Sequence, residues 1–254
     1  MPTLSSEANI AAIYSTLARA WGRQHWWPAR SRFEVIVGAY LTQNTSWRNV
    51  EIAMRKLHAA RVLSVEGIRN ISMDRLERLI RSSGYFRQKA RKLKTFVRFL
   101  DRCYGGSLNK MFAQPTAELR EQLLSLNGVG SETADSILLY AGQHPVFVVD
   151  AYTRRLSIRH GILPDNAPYE EIRSLFERSL TRVPELSATV VSSSSTGKAS
   201  HSPSRMSLAA RSPLAQVFNE MHGLIVSAGK QYCLKSKAHC DQCPLGPLLR
   251  PSSG

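Results

Sequence analysis

Asp150 closes the apolar run Val146–Val149 and precedes a helical pattern. A carboxylate in that place can cap the first amides of the helix, or it can hold a fixed negative charge at the mouth of a cleft. Upstream, Gly128-Val129-Gly130 separates two helical segments. Glycines in such a turn admit backbone angles and close approaches that a Cβ forbids. The amides that open the next helix at Ser131, together with the helix dipole, suit a phosphate. An ordinary helical hairpin would use the same turn. Glu132 is either a first-turn acid favoured by the dipole or part of the reaction site. Cys233, Cys240 and Cys243 are bunched near the C-terminus, a spacing for a metal or cluster and not for a disulfide framework. Arg87, Lys89, Arg91, Lys92, Lys94 and Arg98 crowd one amphipathic segment, as a solvated face or a phosphate-binding one.

The elements that must position these residues read as helices. Apolar positions recur at three and four over 6–21, 32–42, 47–60, 73–81, 87–103, 116–126, 132–141, 150–160, 168–182 and 213–228. Val146–Val149 is the one strand-like run and is too short to found a sheet, so the fold class is all-α. Residues 187–212 are Ser-rich without apolar periodicity and read as a disordered insertion. With 254 residues there is ample chain for a core. The 34 Lys and Arg against 19 Asp and Glu give a net charge of +15, which points to a polyanion, nucleic acid first. No apolar run approaches a membrane span, and the N-terminus has no signal-peptide pattern.

The stretch LNGVGSETA, followed by Asp150 eighteen positions after Glu132, resembles the helix-hairpin-helix (HhH-GPD) DNA glycosylases of the endonuclease III superfamily. LTQNTSW (41–47), GYFRQKARKL (84–93) and CLKSKAHCDQC (233–243) extend the resemblance over nearly the whole chain except the Ser-rich insertion. GSETAD, VVDAY, QNT and Trp26-Trp27-Pro28 are most similar to the 3-methyladenine branch of endonuclease III type.

The resemblance implies a two-lobed all-α fold. One lobe is 29–141, ending in the hairpin; the other joins 1–28 to 142–254. Double-stranded DNA with a damaged base would lie across the cleft between them, and the enzyme would act as a monomer in the cytoplasm, nucleoid-associated in a bacterium. The base is extruded and its N-glycosidic bond hydrolysed. Asp150 matches the catalytic aspartate and Glu132 stands where bifunctional relatives carry a lysine, so a monofunctional glycosylase is expected. Gln43 would fill the gap left by the base and Tyr85 would wedge the step. Arg87, Lys89, Gly128, Val129, Gly130 and Ser131 would contact DNA. Trp26, Trp27 and Pro28 would line the base pocket, where aromatic faces stack on an electron-poor base; a core role for the tryptophans is the alternative. Cys233, Cys240 and Cys243 match the start of a [4Fe–4S] loop whose fourth cysteine would fall at Leu249. This leaves a cluster with one unusual ligand, a Cys3His zinc site using His239, or a loop that has lost its metal. Cys103 is expected to be a buried structural thiol. The alternative functions are a glycosylase/lyase acting on oxidised pyrimidines and a non-catalytic DNA-binding protein.

Overall fold

The computed structural model describes residues 6–181 and 201–249. Among these the chain is helical, with no strand; the single bridge pairs Cys233 with Ala238. Two compact units form, one from 29–144 and the other from 1–28 with 145–254.

The unit 29–144 contains α2 (Arg32–Thr42), α3 (Trp47–Ala59), α4 (Val65–Asn70), α5 (Met73–Leu79), α6 (Phe86–Tyr104), α7 (Leu108–Phe112), α8 (Thr116–Leu124) and α9 (Ser131–Ser136). A π-helical turn, Ile137–Gly142, continues α9. Helices α2, α4, α5 and α7 begin at serines 31, 64, 72 and 107, whose side chains accept from the first-turn amides. The short α4 and α7 fall below the length at which periodicity speaks; only their serine caps announce them. Helix α6 is the spine. Ala90, Leu93, Phe96, Val97 and Leu100 are buried along one face, while Arg87, Arg91 and Arg98 are exposed on the other. Arg120 on α8 grips the fully buried Asp135 on α9 through two bonds of 2.6 and 3.1 Å. Breaking a buried pair of this kind strands a charge, so it pins the two helices of the hairpin.

The second unit contains α1 (Ser6–Trp21), α10 (Ala151–Arg159), α11 (Tyr169–Thr181) and α12 (Pro213–Gln231). Every residue from Val217 to Gly229 of α12 is buried, so this helix is the centre of the unit and its polar members need partners. Val146–Val149 runs buried outside any helix and without a partner strand. Its amides are met by side chains instead: Phe147 N–H donates to Glu177 (2.9 Å) and Val149 N–H to the Tyr169 hydroxyl (3.3 Å).

Of the expected insertion at 187–212, residues 187–200 lie outside the described residues. Residues 201–212 differ from a free linker. They form turns, Met206 and Ser207 are buried, and the Ser204 hydroxyl donates to the Trp27 carbonyl (3.4 Å). Met206, with Ser204 bonded to Trp27 and His201 packed on Trp26, docks a segment whose composition reads as solvated.

Candidate active site

Asp150 is the N-cap of α10. Its Oδ1 accepts from the Thr153 amide (2.8 Å) and the Thr153 hydroxyl (3.0 Å). Its Oδ2 lies 3.5 Å from Nε2 of His222, an ion-pair separation and not a tight hydrogen bond. Burial pushes this carboxyl up, but the His222 ring and the Thr153 donors outweigh it and hold its pKa below the ordinary aspartate value of 3.8. The cap and the fixed charge are therefore the same group: capping orients the carboxylate, and His222 together with the Thr153 donors keeps it ionised.

His222, on α12, also packs against Trp26, with ring centroids 5.7 Å apart. Sequence reasoning missed His222. Its signal was a histidine in a helix dense in apolar residues, among a few other polar ones. Trp26 meets Trp27 edge-on at 5.7 Å and His201 at 5.3 Å, and Lys230 stands 5.8 Å over its ring. Trp26 and Trp27 are only 9% and 8% exposed, with Pro28 half-buried beside them. The Trp26 indole Nε1 is buried without a partner, a cost that a hydrogen-bonding ligand would relieve.

The hairpin lies in the other unit. Gly128 has φ +80°, the left-handed region that favours glycine, and a Cβ there would also displace the end of the Lys92 side chain. Gly130 differs from expectation: a Cβ would find open space, and its φ of −95° is ordinary. Its part is as N-cap of α9, where it supplies no side-chain acceptor to the first amides. Val129 is buried, and so stabilises the turn; Ser131 is half-buried and Glu132 exposed. Gln43, the C-cap of α2, donates to the Gly128 carbonyl (3.1 Å) and the Thr133 hydroxyl (2.9 Å) and accepts from Lys92 (2.6 Å). It thereby ties the end of α2 to the hairpin and to α6.

Residues 37–182 match the HhH-GPD superfamily of base excision DNA repair proteins. The chain belongs to that superfamily. A Methanocaldococcus jannaschii protein named as a provisional DNA repair glycosylase is 40% identical over 237 residues, 93% of each chain. The H. pylori 3-methyladenine DNA glycosylase bound to 1,N6-ethenoadenine has a TM-score of 0.70 and 28% identity, over 90% of this chain and 98% of that one. An endonuclease III trapped in a covalent intermediate with DNA has the same TM-score at 21% identity, over 98% and 97% of the two chains. As a member of the HhH-GPD superfamily, this chain is a DNA N-glycosylase, and DNA is its partner.

Within this glycosylase the basic helix divides its labour. Tyr85 is 66% exposed in a left-handed conformation (φ 44°) just before α6, standing clear of the surface. Arg87 is also exposed, 3.8 Å from Glu77. Lys89 corrects the expectation of a phosphate contact. It is 2% exposed, and its ammonium donates to the carbonyls of Leu41 (2.8 Å) and Ser83 (2.6 Å). Burial, with Lys92 adding to it, pushes its pKa down to about 8. The sequence carried the signal: 89, 93, 96 and 100 share the inward face of α6. Lys89 clamps the backbone two residues before Gln43 to the backbone two residues before Tyr85. Lys94 likewise donates to the carbonyls of Arg69 (2.9 Å) and Ile71 (2.5 Å).

This division predicts different salt responses. Arg87→Ala should reduce the slope of log affinity for duplex DNA against log salt by about one. Lys89→Met should leave the slope unchanged, because no phosphate contact is lost. It should weaken binding at every salt concentration, since two carbonyls left unpaired cost about 1–3 kcal/mol each and loosen both loops. Fluorescence-anisotropy titrations at several salt concentrations separate the two.

Cys103, expected to be buried, is exposed on α6. Cys233, Cys240 and Cys243 are half-buried around one small cavity beside the C-terminal end of α10. Arg159 donates to the Cys233 sulfur (3.1 Å) and Arg155 to the Cys233 carbonyl (2.7 Å). Among the described residues no group of three or more His, Cys, Asp or Glu converges as a single-ion site. Three thiols lining one cavity are a donor set of the kind an iron–sulfur cluster takes. Also among the described residues, no helix is long and apolar enough to cross a membrane.

Proposed function

We propose that this glycosylase releases an alkylated purine of the 3-methyladenine type from duplex DNA, as a monofunctional enzyme and a monomer, and leaves an intact abasic strand. The observation that carries the reading is the ionised Asp150, held by Thr153 and placed beside His222, which in turn packs on Trp26. 3-Methyladenine in DNA is cationic and departs with the glycosidic electron pair as a neutral base. Positive charge then develops on the sugar. A preorganised carboxylate stabilises that charge, water adds its oxygen to the anomeric carbon, and the surplus proton passes to solvent. Trp26 and Trp27, with Pro28, would serve the extruded base by stacking and cation–π attraction. The resemblance to a 3-methyladenine glycosylase bound to ethenoadenine supports the substrate class, and the carboxylate at Glu132 supports hydrolysis without lyase chemistry, because it cannot form an imine.

The DNA contacts follow from the other unit. Gly128, Gly130 and Ser131 would turn the hairpin backbone toward a phosphate, and Val129, whose amide donates to the Leu126 carbonyl (3.0 Å), would hold that turn in shape. Gln43 fills the vacated stack, Tyr85 wedges it, and Arg87 adds a phosphate contact. The cysteine loop would hold a [4Fe–4S] cluster through Cys233, Cys240 and Cys243, in a structural role near the DNA. A cytoplasmic site of action agrees with free thiols.

A panel of duplexes tests the reading, each with one lesion: 3-methyladenine, ethenoadenine, an oxidised pyrimidine or a mismatch. Base release and strand nicking are scored separately. Release of the alkylated purines without nicks is expected. Release confined to oxidised pyrimidines, accompanied by nicks, would reject it.

A further inference from the structure

The cavity that gathers Cys233, Cys240 and Cys243 is also lined by His160 and Leu249. Leu249 occupies the place where the family resemblance puts a fourth thiol, and a leucine has no atom to offer a metal. His160, the C-cap of α10, is 6% exposed. Its Nδ1 is buried without a hydrogen-bond partner, while the ring is hydrogen-bonded to the Leu248 backbone. Buried ring nitrogens are normally satisfied, so an orphan in a cavity also lined by three thiols has the chemistry of a metal ligand. A histidine ligand commonly has its second nitrogen fixed by a backbone or carboxylate partner, the role Leu248 fills. His239 lines the cavity too, but it is only half-buried and can be served by water. The loop is shaped closely around this space: a Cβ on Gly246 would meet the Cys240 carbonyl oxygen at 2.3 Å.

We propose that His160 is the fourth ligand of a [4Fe–4S] cluster in this protein, binding through Nδ1 the iron that no cysteine reaches. The inference rests on the cluster reading of the loop. Histidine in place of cysteine is compatible with iron–sulfur chemistry and raises the potential of a cluster.

The test uses the full chain, purified without oxygen and reconstituted with ferrous iron and sulfide. Iron and sulfide are assayed per chain, and the reduced cluster is examined by pulsed electron paramagnetic resonance with 15N-histidine labelling. Wild type should bind about four irons and show a histidine nitrogen coupling. His160→Ala should fall to about three irons, with a three-iron signal on oxidation and no nitrogen coupling. His160→Cys should restore the fourth iron without the coupling, which controls for folding. His239→Ala should match wild type. Wild type without iron would overturn both the ligand and the cluster reading of the loop. A four-iron cluster with no histidine coupling, or a coupling lost in His239→Ala and kept in His160→Ala, would overturn the ligand alone. The glycosylase reading is judged separately by base release.

Discussion

Asp150→Asn should lower base release by about 100-fold or more while leaving affinity for the damaged duplex within a few-fold of wild type. Asparagine keeps the shape and one side-chain oxygen, so the Thr153 amide and hydroxyl retain an acceptor and α10 its cap. What disappears is the negative charge that His222 faces at 3.5 Å. Single-turnover base release and equilibrium binding, measured side by side, check this. Full turnover would show that Asp150 is a cap alone. The pH dependence follows in sign. The fold depresses the pKa of Asp150, so its ionised form contributes stability above the ordinary value of 3.8. That contribution is lost as pH falls through the lower folded-state value. Denaturant unfolding followed with pH should therefore show a shallower acid limb in the asparagine variant.

No covalent adduct should form when wild type is treated with borohydride on damaged duplex DNA, and nicks should appear only after alkali or an abasic endonuclease. Trapping needs an amine that condenses with the opened sugar, and position 132 carries a carboxylate. Of the amines in the same unit, Lys89, Lys92 and Lys94 are already committed to Leu41 and Ser83, to Gln43, and to Arg69 and Ile71. Glu132→Lys should then gain trapping from a near-zero background, since Glu132 is exposed at the start of α9 and a lysine fits without repacking. Efficient trapping by wild type would end the monofunctional assignment. A Glu132→Lys variant that binds DNA yet never traps would remove residue 132 from the sugar.

Periodicity and punctuation determined the helices. The repeat of apolar positions in α1, α6 and α11, and the GVG turn before α9, are local properties of the chain, and local steric and burial patterns are what a sequence records directly. The motifs around Gln43, Gly128 and Asp150 were legible for the same reason: each sits at a helix end, where residue type and backbone position are tied together. The tertiary structure alone decided which charges face water and which polar atoms meet. Lys89 looks like its basic neighbours until α6 docks and turns it toward the carbonyls of Leu41 and Ser83. His222 stands 72 positions from Asp150 and His160 73 positions from Cys233. Such pairs form only when α10 and α12 pack together, because burial and long-range contact depend on the partner helix, and one helix's sequence does not contain its partner's position.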